Sequence, residues 1–282
     1  MFDIAFIGHF TRDTVVHPHN QTTHRGGAYY YGAHVAVSMG LRVAVVTRLA
    51  RADWGIVEEL QAMGVTMFAR ETPASTCLRL VYPTENLDER VIYATGFAGA
   101  FTPTEVAPIQ ARVFHLGASI RGEIPCEVIA TLAAKSTRLS LDVQGFLRVN
   151  DNGTLRYAAW NDITAVLRST HILKVDSTEA EFLTGTTDLH AALVQLAAYG
   201  PQEIVLTHNG GVMVYAEGAV HTYPWRAQDI KGRTGRGDTC IAAYVCKRLS
   251  APPAEAARFA AAVTSIKLQT PGPFKGPLPP GD

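Results

Sequence analysis

A glycine-rich segment late in the chain carries the residues best suited to chemistry. It runs from Lys231 to Cys240, with glycines at 232, 235 and 237, and leads into apolar residues that predict a buried helix ending near Leu249. Glycines let the backbone turn sharply and let a ligand approach it closely. A turn that opens a helix directs several unpaired N–H groups at one point, where the helix dipole favours negative charge. The segment therefore predicts an anion site.

Asp238 stands beside that predicted anion site. A bound phosphate would normally repel a carboxylate, so this position suggests a base that orients a hydroxyl for attack on a phosphoryl group. The alternative is an acidic capping residue at an ordinary helix N-terminus. The segment alone leaves both interpretations open.

The elements that must position this segment alternate between strand-like and helix-like stretches joined by short links, from a first strand ending at Gly8 to a last helix from Ala254 to Leu268. This rhythm predicts an α/β fold with a mostly parallel sheet. Ligands bind beyond the carboxyl ends of such strands. Asp13, just after the first strand, is therefore predicted to accept hydrogen bonds from a polyhydroxylated ligand; the alternative is a solvated loop acid.

Two stretches interrupt the alternation. Residues 75–98 contain two strand-like runs joined by a polar turn, and residues 12–25 contain further strand-like sequence. Together they predict a small separate sheet that could act as a lid, with a plain edge hairpin of the main sheet as the alternative. Because the sequence has no interdomain linker, repeat or low-complexity block, residues 1–282 are predicted to form a single domain.

The composition limits the classes of partner that the protein is expected to bind. The chain has 282 residues, 47% hydrophobic, with a formal net charge of zero, which gives no case for a nucleic-acid or anionic-membrane partner. No apolar run approaches the ~20 residues that span a bilayer. The first residues resemble a strand rather than a signal peptide, and the four cysteines form no CxxC pair. We therefore expect a cytoplasmic protein with reduced cysteines.

The segment Thr234-Gly235-Arg236-Gly237-Asp238-Thr239 is similar to the "DTTGAGDTF" signature of the ribokinase family of sugar and nucleoside kinases, also called the PfkB family. The resemblance covers nearly the whole chain. It implies a three-layer α/β/α domain with a β-sheet lid, ATP and Mg²⁺ as cofactors, and a small sugar, polyol or nucleoside as acceptor. It also implies that Asp238 is the catalytic base and that the N–H groups of Gly235, Arg236 and Gly237 form an anion hole.

Further motifs extend the resemblance on the acceptor side. Gly26-Gly27 and the helix ending at Met39-Gly40 resemble the family's N-terminal signature, whose glycines lie against the sugar. Gly26, Gly27 and Asp13 are thereby implied to bind the substrate. Tyr31 is assigned to the same site, although it stands where many members have a substrate-binding Asn.

The remaining motifs concern the phosphate donor. The sequence from Asp176 to Glu179 resembles the family's "NxxE" motif, with Asp in place of Asn, and implies that both acids serve Mg²⁺ binding. The stretch from 207 to 211 resembles the nucleotide-binding turn, and two C-terminal segments resemble those that flank the adenine. The residues so assigned to ATP are Thr207, Asn209, Gly211, Ala261 and Gly272.

Two departures lie in the signature segment itself, where Gly232 replaces an Asp and Arg236 replaces an Ala. The pattern around Tyr31 and the residues from Asp142 to Arg148 resemble an inositol-kinase-like branch. Related lids often pair, which suggests a homodimer through the lid.

The function predicted is ATP-dependent phosphorylation of a hydroxyl; the alternative is a nucleotide- or sugar-sensing protein without turnover. A dinucleotide-dependent oxidoreductase would need a GxGxxG fingerprint that the sequence lacks.

Overall fold

The computed structural model describes residues 1–84, 90–135, 137–227 and 229–279. The strands are β1 (Phe2–Ile7), β2 (Thr11–His17), β3 (Asn20–Gly26), β4 (Val43–Leu49), β5 (Thr66–Glu71), β6 (Thr76–Val81), β7 (Val91–Gly96), β8 (Ala111–Leu116), β9 (Arg138–Asp142), β10 (Arg148–Asp151), β11 (Thr154–Tyr157), β12 (Ile172–Asp176), β13 (Glu203–Thr207), β14 (Gly211–Ala216) and β15 (Ala219–Pro224). The α-helices are α1 (Ala28–Ser38), α2 (Gly55–Ala62), α3 (Pro103–Val106), α4 (Cys126–Ala133), α5 (Gln144–Leu147), α6 (Ile163–Leu167), α7 (Ser177–Thr184), α8 (Leu189–Ala197), α9 (Arg236–Lys247) and α10 (Pro253–Leu268).

The main sheet has nine strands in the order β15-β14-β13-β12-β9-β8-β1-β4-β5. The strands from β13 to β5 run parallel, and the β14–β15 hairpin adds antiparallel strands at one edge. A parallel sheet is covered by helices on both faces, so its strands are apolar along their length. Strand β4 is buried throughout. The α/β fold with a mostly parallel sheet is confirmed.

The helices form a layer on each face of this sheet. One core contains buried residues of α1, α2, α9 and α10, while the other contains residues of α4, α7 and α8. The strands contribute residues to both cores, because successive side chains point to opposite faces. This is the three-layer α/β/α arrangement that the resemblance implied.

The second sheet has six strands in the order β10-β11-β7-β6-β2-β3. It contains both stretches that were expected to form a separate sheet, so the edge-hairpin alternative is wrong. Residues 85–89 of that expectation lie outside the described part of the chain. Strands β10 and β11 were not anticipated as members of this sheet. They are joined at Asn152 and Gly153, which have φ of 50° and 92°, the positive values of a tight hairpin turn. The single-domain organisation stays a prediction.

Arg121, in the loop after β8, forms hydrogen bonds that connect the β10–β11 hairpin to the main sheet. Its guanidinium donates to the carbonyl oxygens of Phe146 at 2.6 Å, Ala158 at 2.6 Å and Ala159 at 2.9 Å. Its own N–H donates to the carbonyl of Arg148 at 2.8 Å. Hydrogen bonds from a charged donor are the stronger kind, so this residue fixes where the hairpin lies.

Among the helices of the described residues, none has both the length and the apolar character needed to cross a membrane.

Candidate active site

A cavity of about 760 Å³ lies between the second sheet and the carboxyl ends of the parallel strands. This volume is in the range of small-molecule sites. Its lining includes most of the residues predicted to do chemistry: Asp13, Gly27, Tyr31, Asp176, Thr207, Asn209, Gly235, Arg236, Gly237 and Asp238. Gly26, Glu179, Gly211, Ala261 and Gly272 are not among the lining residues.

The N-terminus of α9 opens directly into this cavity. Gly235 caps the helix with φ of 76°. This left-handed conformation is unfavourable for residues that have a Cβ. A Cβ at this position would lie 2.2 Å from the Tyr31 ring, so the ring packs directly on the glycine. Arg236 begins the helix and Asp238 lies in its first turn. The N–H of Arg236 donates to the carbonyl of Arg233 at 3.2 Å, so the helix start presents the N–H groups of Gly235 and Gly237 at the cavity wall.

Asp238 is half-buried in that wall. Its burial, together with the nearby Asp142 carboxylate, raises its pKa to about 6, while Lys174, Lys267 and Arg148 oppose this shift. At neutral pH the carboxylate is therefore still mostly ionised and able to accept a proton. Its basicity is greater than that of an exposed Asp, which favours general-base chemistry near pH 7.

Lys174 brings a buried positive charge to the same place. Its Nζ lies 3.1 Å from Oδ2 of Asp142 and 3.6 Å from Oε2 of Glu179. A Cβ on Gly237 would lie 3.2 Å from the Lys174 Nζ, so the ammonium stands against the helix start. Burial alone would lower the lysine pKa, but the neighbouring carboxylates raise it. Sequence reasoning missed this residue, although a lysine inside an apolar strand was a usable signal.

Asp176 and Glu179 form a capping box at the start of α7. The N–H of Glu179 donates to Oδ1 of Asp176 at 2.8 Å, and the N–H of Asp176 donates to Oε2 of Glu179 at 2.7 Å. Glu179 is fully buried, its Oε1 has no hydrogen-bond partner, and burial raises its pKa to about 7. The capping box thus accounts for Oε2 of Glu179, while Oε1 remains available to accept a hydrogen bond.

Mg²⁺ has a limited protein ligand set in this cavity. In the described residues no cluster of three or more His, Cys, Asp or Glu could hold a metal by itself. Mg²⁺ usually keeps several waters and is held by one or two carboxylates together with substrate phosphates. Asp176 lines the cavity and the buried Glu179 lies behind it with a free acceptor oxygen. The residues fit such a water-rich, phosphate-assisted site.

The acceptor side of the cavity is built around Asp13. Burial raises its pKa to about 6, and its Oδ1 has no hydrogen-bond partner. A Cβ on Gly26 would lie 2.8 Å from Oδ2 of Asp13, so this glycine leaves room for the carboxylate. Gly27, with φ of 101°, caps α1. Arg148 and Tyr157 of the unanticipated hairpin also line the cavity; Arg148 ends the stretch that resembles an inositol-kinase-like branch, whereas no motif had indicated Tyr157.

The loop between β15 and α9 is hydrogen-bonded to the turn after β13 and to α10. The N–H of Trp225 donates to the carbonyl of Gly210 at 3.0 Å, and the N–H of Arg226 donates to Oγ of Ser265 at 2.9 Å. The N–H groups of Lys231 and Gly232 both donate to the carbonyl of Leu268, at 2.9 and 3.0 Å. These bonds join the turn after β13, the loop before α9 and the end of α10.

Three of the residues predicted to bind ATP lie outside the cavity lining. A Cβ on Gly211 would lie 2.3 Å from the carbonyl oxygen of Tyr223, so this glycine serves strand pairing. Ala261 is buried in the core beside α9, and Gly272 has φ of 82° in the C-terminal segment. At the cavity itself, Nη2 of Arg233 donates to Oδ1 of Asn209 at 3.1 Å.

Comparison with known proteins decides the family. A model of the pfkB family of carbohydrate kinases matches residues 2–279. The chain belongs to this family. It is therefore a phosphotransferase that acts on a hydroxyl group, a sugar or nucleoside kinase of the ribokinase type, as the sequence resemblance indicated.

Solved structures similar to this PfkB protein include a pyrophosphate-dependent kinase of the ribokinase family. Its sulfate complex is 34% identical, with a TM-score of 0.91, covering 96% of this chain and 97% of that one. A complex with a pyrophosphate analogue and myo-inositol has a TM-score of 0.90 at the same identity, covering 96% and 97%. A cytidine kinase of Thermococcus kodakarensis is 24% identical, covering 87% of this chain and 88% of that protein.

Proposed function

We propose that this PfkB protein transfers a phosphoryl group from pyrophosphate to a hydroxyl of a small cyclic polyol such as myo-inositol. The observation that carries the proposal is the position of Asp238 in the first turn of α9, beside Gly235 and Gly237 and facing a cavity lined by several charged residues. The donor and acceptor are suggested by the similar kinase whose structure contains a pyrophosphate analogue and myo-inositol.

The donor side favours a compact polyphosphate over ATP, the donor that the family resemblance implied. The loop of residues 225–232 is hydrogen-bonded to Gly210 and to Ser265 and Leu268 of α10, and the predicted ATP contacts Gly211, Ala261 and Gly272 are not in the cavity lining. Arg233 and Arg236 do line it. Guanidinium groups bind phosphate oxygens in a bidentate manner, and pyrophosphate consists of phosphates alone.

The acceptor side suits a ligand with several hydroxyl groups. The Asp13 carboxylate has an unpartnered buried oxygen that could accept a hydrogen bond from an acceptor O–H. Gln144, Arg148 and Tyr157 add polar groups on the facing wall. A buried polar group must be hydrogen-bonded to avoid a free-energy loss, so these residues favour a polyol over an apolar ligand.

The transfer step follows from these positions. Asp238 accepts the proton of the attacking hydroxyl as its oxygen forms a bond to phosphorus. The bridging P–O bond of pyrophosphate breaks, and orthophosphate leaves. The N–H groups of Gly235 and Gly237 and the Lys174 ammonium stabilise the negative charge on the transferred group. The second sheet covers the cavity and limits transfer to water.

Mg²⁺ would be held by Asp176, with Glu179 behind it, through waters and the donor phosphates. Its contribution when bound is to neutralise charge on the phosphate oxygens. Asp176 keeps its capping bond to the N–H of Glu179, which fixes the orientation of the carboxylate that would face the ion.

A side-by-side comparison of the two phosphate donors tests the proposed function. The purified protein is incubated with myo-inositol and either pyrophosphate or ATP, and the phosphate ester, orthophosphate and ADP are measured separately. We expect one ester and one orthophosphate for each pyrophosphate consumed, with little ADP. Ester formation with ATP alone would restore the ATP prediction. Pyrophosphate binding without ester from any inositol, sugar or nucleoside would favour the sensor alternative.

The dimer and the cytoplasmic location stay predictions. Strand β7 exposes Val91 and Tyr93, which are 40% and 37% accessible, on the second sheet. Apolar side chains on an exposed sheet can support association. Pairing of two second sheets is checked by light scattering of the wild type and of a Val91→Lys variant, which we expect to be monomeric.

A further inference from the structure

Lys267 is a buried lysine for which the transfer step described above has no use. It lies one residue before the end of α10 and is only 1% exposed. Its Nζ donates hydrogen bonds to the carbonyl oxygens of Gly232 and Thr234. The ammonium also lies 5.6 Å from the centre of the Tyr31 ring. Burying a charged amine is unfavourable, so a position that retains one calls for an explanation.

The two carbonyls belong to the loop immediately before the helix start. A trans peptide is planar, and its C=O and N–H point in opposite directions. When the carbonyl of Thr234 is held towards α10, the N–H of Gly235 is turned away from α10. The carbonyl of Gly232 fixes the N–H of Arg233 in the same manner. The lysine thus determines the orientation of the peptide groups that lead into the anion hole.

Other contacts hold the same loop from both sides. A Cβ on Gly232 would lie 2.0 Å from the carbonyl oxygen of Thr270, so the loop lies directly on the chain after α10. On the opposite side the Tyr31 ring packs on Gly235. Gly232, a departure from the family signature, is therefore the residue that lets the loop come close enough for Lys267 to reach it.

The charge of Lys267, like its hydrogen bonds to the loop, favours the binding of an anion at the start of α9. Burial lowers the lysine pKa to about 8, and Asp238 opposes that shift. Reciprocally, the lysine opposes the upward shift of the Asp238 pKa. In a site shielded from water such a charge is weakly screened, so it favours both an ionised base and an anion at the helix start.

We propose that Lys267 is a positioning residue for phosphoryl transfer, which holds the loop of residues 232–235 so that the N–H groups at the start of α9 point into the cavity. This inference rests on the proposed function in one respect, that the protein transfers a phosphoryl group to a hydroxyl. It does not depend on whether the donor is pyrophosphate or ATP. The residue does not line the cavity, so it acts through the loop and not by contact with either substrate.

The test is the Lys267→Met variant, which keeps the side-chain length and removes the donors and the charge. We expect kcat to fall about 100-fold, the loss typical of one missing oxyanion-hole donor, with the acceptor KM changed less than about twofold. The control is Lys247→Met at the far end of α9, where Nζ pairs with Glu255 at 2.7 Å; it should retain wild-type kcat. A folded Lys267→Met with kcat within about threefold of wild type, or a loss confined to the acceptor KM, overturns the inference.

A second variant keeps the inference testable if Lys267→Met does not fold. Lys267→Ala is assayed with and without ethylammonium, a small cation that can occupy the vacated space. Recovery of kcat by about tenfold or more is expected, with no effect of the amine on wild type; a folded variant with no recovery overturns the inference. If the wild type uses ATP and not pyrophosphate, the proposed donor is wrong, and the same comparisons are made with ATP.

Discussion

Asp238→Asn is expected to abolish turnover and, at neutral pH, to make the protein more stable. The turnover loss follows because an amide cannot accept the proton of the attacking hydroxyl. The stability gain follows because the wild-type site holds a buried carboxylate whose pKa is raised from 3.8 to about 6, first by burial and then by Asp142. The substitution keeps the shape and removes that unfavourable charge.

The size of the gain follows from the shift. About two pKa units at ~1.4 kcal/mol each give at most on the order of 3 kcal/mol. Because the folded pKa of Asp238 is the higher one, its contribution to stability is complete below the unfolded value of 3.8 and is lost as the pH rises through about 6. The advantage of the variant over wild type should therefore grow by on the order of 1 kcal/mol between roughly pH 5 and pH 7.5.

Urea unfolding at several pH values, followed by circular dichroism, measures this difference. Asp142→Asn is the matched control, because Asp142 is paired with the Lys174 ammonium at 3.1 Å and both side chains are about 5% exposed or less. The substitution leaves the buried Lys174 ammonium with the more distant Glu179 carboxylate, at 3.6 Å, as its remaining partner, so we expect this variant to lose on the order of 3 kcal/mol. If Asp238→Asn is destabilised like the control, or shows no pH-dependent gain, our account of the Asp238 environment is refuted.

Three further outcomes are expected. The kcat/KM of wild type should fall about tenfold per pH unit below about pH 6, where Asp238 becomes protonated; a flat profile down to roughly pH 5 would contradict its role as base. Gly235→Ala should destabilise the protein by several kcal/mol more than Gly218→Ala, since both glycines have positive φ but only a Cβ at position 235 would clash with the Tyr31 ring. Equal decreases in the melting temperature of the two variants would show that the clash has no effect on stability. Arg121→Met should raise the acceptor KM about tenfold and speed amide exchange in residues 148–157; unchanged exchange would show that Arg121 does not hold the hairpin.

The sequence was most informative where local pattern determines structure. Alternating apolar segments predicted the parallel sheet, and the glycines before Asp238 predicted the helix start that lines the cavity. The β10–β11 hairpin was missed, even though the Asn152-Gly153 turn was visible. A turn motif indicates that two strands pair, but the sheet they join depends on distant partners such as Tyr93, which lies opposite Thr154.

The charged residues around the site were harder to predict. Lys267 lies in the last turn of a helix, where basic residues usually favour the helix dipole while remaining in water; only the fold places Gly232 and Thr234 over it. Arg148 ends the stretch that resembled an inositol-kinase-like branch, but its burial depends on the second sheet, which that stretch does not predict. The assignments of Gly211, Ala261 and Gly272 came from the family resemblance alone, and they stay predictions.

Phosphorus NMR of the wild type with myo-inositol and pyrophosphate, run beside Asp238→Asn, tests the central claim most directly. Wild type should yield an inositol phosphate ester and one orthophosphate for each pyrophosphate consumed. Asp238→Asn should yield no ester while still binding pyrophosphate, because its helix start and cationic residues are unchanged. Ester formation by Asp238→Asn at a rate near that of wild type would contradict the assignment of Asp238 as the base.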